Sequence, residues 1–209
     1  SFSTSSGWTT TAPTSTSYKG TDAGTYYMWY YCYVSDTANN EANSGSTINS
    51  AQSITKAIAK ADPTITLYTA SSGTTTFSNG ASRGAIPYGS NIKSYPMANI
   101  AGSWKAASSN ATYVTVSPTS NTSTSANTRR EITATGAGYT TSAITVTLTF
   151  TPTDTTNYNT VTRTYTHTVS KVDATCPTLT AYSAQYDGSA HGITVSGGSG
   201  GTVQYRTST

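Results

Sequence analysis

Two histidines, two cysteines and eight carboxylates are the groups from which an acid–base, nucleophilic or metal site would have to be built. The carboxylates are Asp22, Asp36, Glu41, Asp62, Glu131, Asp154, Asp173 and Asp187, and none stands in the Asp-x-Asp spacing of a calcium loop. His167 lies in a run of alternating threonines, where a histidine is read as a packed or surface strand residue. His191 closes Tyr186-Asp-Gly-Ser-Ala-His191 and reads as part of a strand entry. No Gly-x-Ser-x-Gly elbow and no His-Glu-x-x-His pair occurs. The run Gly197-Gly-Ser-Gly-Gly201 lacks the Lys-Ser/Thr that a phosphate loop needs, so it predicts a hairpin turn. No catalytic residue, cofactor or metal is expected, and the chain is not expected to be an enzyme.

Binding chemistry has more candidates. Trp8 and Trp104 sit in Gly/Ser-flanked stretches (Ser6-Gly-Trp8 and Gly102-Ser-Trp104) and could offer rings to a sugar. Trp29 alternates inside an aromatic run and is expected in a core. Cys32 and Cys176 make no disulfide framework. They could form one bridge in an oxidising compartment, or both could be buried thiols. Asp62 and Asp173 follow Lys60-Ala and Lys171-Val and could flank a cation between modules. Lys56, Lys60 and Lys171 lie near strand ends, where a Lys–Asn cross-link could form beside a buried acid. Asn110-Ala-Thr112 and Asn121-Thr-Ser123 fit the glycan acceptor pattern, which chance supplies readily in so hydroxyl-rich a chain.

The elements that position these groups read as strands. Thr and Ser exceed a third of the 209 residues, while charged residues make up 9%. Long amphipathic helices need Lys and Glu on their outer faces, and this chain has few of either. Thr suits a half-buried pleat, and the sixteen Tyr can cover a thin core while keeping their hydroxyls wet. A disordered chain would be poor in both aromatic and β-branched residues. A net charge of +3 with no basic run argues against nucleic acid, and no apolar stretch is long enough to span a membrane. Residues 1–20 show no basic start and no apolar middle, so no signal peptide is visible there.

Residues 144–150 put Ile144, Val146, Leu148 and Phe150 on one face and threonines on the other. Residues 161–169 do the same with Val161, Arg163, Tyr165, His167 and Val169. The turn-rich stretch 151–159 between them predicts a hairpin. Residues 112–116 and 130–135 are shorter strand candidates. Residues 25–34 form the most aromatic strand, with both faces at least partly covered. Residues 49–60 hold helix formers, yet their alternation favours a strand. The alike junctions Lys60-Ala-Asp-Pro-Thr64 and Lys171-Val-Asp-Ala-Thr175 predict boundaries near residues 60 and 172.

Several of these runs resemble a known family. Tyr186-Asp-Gly-Ser-Ala-His191 with Ile193-Thr-Val195, and Gly20-Thr-Asp-Ala-Gly-Thr-Tyr-Tyr27, look like the opening and the middle of one bacterial immunoglobulin-like repeat. Asn157-Tyr-Asn159 before a last strand looks like a second such type. The resemblance, to mucin-binding-like and related repeats of tandem surface adhesins, implies an all-β chain of immunoglobulin-like sandwich modules in tandem. It divides the chain into a closing part (1–60), a complete module (61–171) and an opening part (172–209). Joined tail to head, the two partial pieces have the size of one sandwich. The expected partners are therefore neighbouring copies of the same repeat or subunit, forming a stalk or filament on a bacterial cell surface. Recognition of host glycans or mucin is the alternative. A single intact fold that merely looks divided is the competing view of the organisation.

Overall fold

The computed structural model describes residues 20–31, 39, 51–204 and 206. Among them every regular element is a strand: β1 (Gly24–Tyr31), β2 (Ala51–Ile58), β3 (Ile65–Tyr68), β4 (Ser82–Pro87), β5 (Asn91–Ala98), β6 (Gly102–Ser108), β7 (Val114–Ser117), β8 (Thr122–Thr124), β9 (Ile132–Gly136), β10 (Thr140–Pro152), β11 (Val161–Ser170), β12 (Thr178–Thr180) and β13 (Thr194–Ser196). The all-β expectation is met. The segment weighed between helix and strand is β2.

Nine of these strands form two sheets. One is ordered β4-β11-β10-β6-β8, the other β3-β5-β9-β7. All pairings are antiparallel except β4 with β11, which run parallel. The expected hairpin is β10–β11, with Val146 opposite Tyr165 and Leu148 opposite Arg163. Alternation decides its faces: Val146, Leu148 and Phe150 are fully buried, while the intervening threonines lie nearer solvent.

The core lies between these two sheets. Val146, Leu148, Phe150, Trp104, Tyr165 and Val169 come from the five-stranded sheet, and Leu67, Ile132 and Ala134 from the other. Each fully buried aliphatic side chain contributes about 1.5–3 kcal/mol relative to exposure. A buried hydrogen bond also crosses between the sheets, joining Ser94 Oγ of β5 to Tyr165 Oη of β11 at 3.0 Å. Burial, opposed by this bond, raises the Tyr165 pKa above its ordinary value. The whole buried apolar cluster falls between residues 67 and 169.

Two further sheets have two strands each, β1–β2 and β12–β13. In β1–β2 every residue is paired, from Gly24 opposite Ile58 to Tyr31 opposite Ala51. A two-stranded ribbon has no second layer of its own against which to bury a face.

Candidate assembly interface

The residues singled out for chemistry are scattered. Trp104 is 0% exposed, its ring against Phe150 at a centroid distance of 4.9 Å. It cannot stack on a sugar, so the expectation of a ligand platform there is overturned. Its Gly102-Ser lead-in is the start of β6: a side chain at Gly102 would run into the Phe150 ring and the Thr151 carbonyl. Trp8 and Cys32 lie outside the described residues. Cys176 is exposed and free, which fits neither the possible bridge to Cys32 nor the alternative of a buried thiol. Trp29, expected in a core, is 45% exposed.

His167 is buried, its Nδ1–H donating to the Gly84 carbonyl at 3.0 Å with the Tyr165 ring edge-on. Burial holds its pKa below the ordinary value, against the smaller opposing effect of that hydrogen bond. His191 stacks on Tyr182 and bonds to Asp187 Oδ1 at 2.8 Å, and that bond lowers the Asp187 pKa. Gly197, Gly198 and Gly200 all take positive φ, as the predicted turn requires. Lys60 Nζ donates to the Thr155 carbonyl at 2.6 Å. Asp62 accepts from Asn159 Nδ2 at 2.8 Å. Asn110, an exposed glycan candidate, accepts the Thr112 N–H through Oδ1. Among the described residues no group of three His, Cys, Asp or Glu could hold a metal, and no helix is long and apolar enough to cross a membrane.

What stands open is sheet surface. On β1–β2, one face carries Tyr26, Met28 and Tyr30 across from Lys56, Ile54 and Gln52. The other carries Thr25, Tyr27 and Trp29 across from Ala57, Thr55 and Ser53. Every residue of this second group is exposed, whereas Tyr26, Met28, Gln52 and Ile58 of the first are half-buried. Ile54 is 53% exposed and Tyr30 41%. The face of Tyr27 and Trp29 is the more open of the two among the described residues, with Tyr27 60% and Trp29 45% exposed.

The base of this hairpin is fastened to the loop between β10 and β11. Asn157 uses its side chain fully: Oδ1 accepts the Ala23 N–H at 2.6 Å, and Nδ2 donates to Asp22 Oδ1 at 3.0 Å and Asp154 Oδ2 at 2.9 Å. Its backbone carbonyl accepts the Ala61 N–H at 2.8 Å, and Asn159 N–H returns a bond to the Ala61 carbonyl. The hydrogen bonds from Asn157 hold the Asp154 carboxyl below its ordinary pKa. One loop thus grips the hairpin both where it begins and where it ends.

The segment after β11 is open too. Val172, Leu179, Tyr182 and Ile193 are all about half exposed, and Tyr186 is 97% exposed. A groove of about 520 Å3 runs between residues 174–177 and 197–203, spanned at one point by Thr175 Oγ1 and Ser199 Oγ 2.9 Å apart. This segment leaves β11 at Ser170, whereas the Asn157 loop precedes Val161. Ten residues of strand, roughly 30 Å, separate the two attachments.

Comparison with known proteins gave no matching family model and no matching curated protein. The Asn157 hub was the part of the site that residue types alone did not reveal. Its signal was present in the turn residues Asp154 and Asn157, which read as a hairpin turn and as part of a family resemblance but not as a tie to β1.

Proposed function

We propose that the chain is a structural repeat of an extracellular bacterial surface fibre or adhesin stalk, made of immunoglobulin-like sandwich modules that join head to tail. One observation carries this reading. Among the described residues, exposed apolar side chains lie both on the β1–β2 hairpin and on the segment after β11, which attach at opposite ends of β11. A contact between unlike surfaces at opposite ends repeats without closing and generates a fibre. The strand order supports the immunoglobulin-like part. β3-β5-β9-β7 and β11-β10-β6 match the two sheets of that fold, with β4 and β8 added at the edges. The departure is that β8, beside β6, follows β7 in the chain. The division at residues 60 and 172 fits the confinement of the buried core to residues 67–169. Antiparallel ladders would resist extension, the Asn157 hub would limit bending at the joint, and hydroxyls would keep the fibre soluble at low charge.

Negative-stain microscopy and sedimentation of the purified chain over a range of concentrations test this. Strings of sandwiches that lengthen with concentration are expected. A compact monomer at every concentration, with residues 24–58 and 174–203 protected against each other, overturns it.

A further inference from the structure

The hairpin β1–β2 repeats β10–β11 in register and in two short runs that follow its strands. Asp36-Thr-Ala-Asn39 follows β1 as Asp154-Thr-Thr-Asn157 follows β10, and aligning the two runs sets Met28 on Val146. Lys60-Ala-Asp62 follows β2 as Lys171-Val-Asp173 follows β11, and aligning these sets Ile54 on Tyr165. The two alignments are independent, yet Met28 pairs with Ile54 and Val146 pairs with Tyr165. Tyr26 with Lys56 and Tyr30 with Gln52 likewise match Ile144 with His167 and Leu148 with Arg163. A one-residue slip would have moved every side chain to the opposite face. The face of Tyr26, Met28 and Ile54 therefore corresponds to the core face of β10–β11.

In the sandwich the outer edge of β11 carries β4 in parallel, Ala85 beside Thr168 and Ile86 beside Val169. The outer edge of β2 carries no strand among those described. A strand resembling β4 exists elsewhere in the chain. β4 is preceded by Phe77 and Asn79-Gly80 and contains Gly84; β13 is preceded by Tyr186, Asp187-Gly188 and Gly192. Gly80 and Gly188 turn with the same φ of 79°. Counting from these two glycines sets Ile193 on Ala85 and Thr194 on Ile86.

We propose that residues 189–196 of one copy, ending in β13, add in parallel to the outer edge of β2 of the adjoining copy. Ile193 lies beside Ala57 and Thr194 beside Ile58, so that Thr194 takes the face of Met28 and Ile54 as Ile86 takes the core face beside Val169. This rests on the fibre reading and names its contact. The donor is assigned to another copy because, among the described residues, a chain's own β13 pairs with β12 and not with its own β2. Backbone ladder bonds give such an added strand its affinity, and the covered face gives it register.

The test uses full-length chains with Cys32→Ser and Cys176→Ser. One carries Ala57→Cys and the other Ile193→Cys, and they are mixed with a small disulfide as oxidant. A covalent pair of copies containing one chain of each kind is expected, and Ala57→Cys mixed with Tyr88→Cys should give none. A chain carrying both cysteines that links only within itself overturns the proposal. Because a cysteine variant could misfold, sedimentation of Ile54→Asp and Thr55→Asp gives a second reading. Ile54→Asp should weaken association at least tenfold, while Thr55→Asp, on the other face, leaves it within twofold. Equal loss from both overturns the assigned face but leaves the fibre reading standing. Absence of association in the parent chain removes the fibre reading itself.

Discussion

The hairpins β10–β11 and β1–β2 share a register but differ in their surroundings. Val146 and Tyr165 meet under a second sheet and are at most 1% exposed; Met28 and Ile54 meet in the same pairing, and Ile54 is 53% exposed. Pairing is therefore a local matter, set by extended β-branched and aromatic residues and a turn. Burial is a tertiary matter, set by whatever second layer the hairpin finds. The comparison also separates two tryptophans that look alike in the sequence. Trp104 lies under the core of the closed sandwich, and Trp29 lies on an open sheet.

The sharpest way to break this comparison is to truncate both rings. Trp104→Ala leaves a cavity against Phe150 and should cost about 3–5 kcal/mol, lowering the melting temperature by well over 10 °C. Trp29→Ala should shift the same sandwich transition by no more than a degree or two. Calorimetry of both variants decides it: equal losses would mean that the hairpin and the sandwich share one core. The buried Trp104 Nε1–H has no hydrogen-bond partner. Trp104→Phe, which removes this orphaned donor, should cost clearly less than the alanine change.

A second, smaller effect uses pH. His167 faces the Tyr165 ring and the Gly84 carbonyl, with the Arg83 charge adding a minor disfavouring effect on its protonation. Its folded pKa lies below the ordinary 6.5, chiefly because burial disfavours the cation. The unfolded chain then takes up this proton at a higher pH than the folded chain does. The contribution is fully present above pH 6.5 and is lost as pH falls below it. Urea midpoints of the sandwich transition should decline between pH 7 and pH 5, and His167→Gln should flatten that decline. His191, in the open segment, gives the contrast: His191→Gln should leave the profile of the sandwich unchanged. A profile that His191→Gln flattens instead would join the two regions.

Much of the sandwich was legible in the sequence because its strands alternate cleanly. Ile144 to Phe150 announce both their strand and their inner face, and the Thr151–Asn159 stretch announces the hairpin. The parallel addition of β4 to β11 was not legible. It joins residues some eighty positions apart, and the short run around Ile86 carries no periodicity long enough to measure. Trp104 was misread because Gly102 and Ser103 looked like a loop. Gly102 is there for contact, since only its missing side chain lets Phe150 and Thr151 come so close. Trp29 was misread for the opposite reason. An aromatic run signals extended pairing strongly but does not say what will cover it. For the candidate interface, the strand of residues 25–31 was legible from its aromatic run, while the Asn157 hub needed the fold to bring Asp22, Ala23 and Ala61 to one loop.

The smallest expected effect concerns that hub, where the two regions meet. Asn157→Ala removes the acceptor of the Ala23 N–H and the amide that bridges Asp22 and Asp154. It leaves the backbone carbonyl that accepts from Ala61. Losing one such bond is worth about 1 kcal/mol, so the Ala23 amide should exchange with solvent roughly five times faster. Ala61 is the internal control and should change little, and the melting temperature of the sandwich should stay within about two degrees, since the loop lies outside its core. If Ala61 loosens as much as Ala23, the whole loop depends on the Asn157 side chain, and the grip on the two ends of the hairpin is one cooperative unit. If neither changes, the orientation of β1–β2 is set elsewhere, and the stiffness proposed for the joint loses its cause.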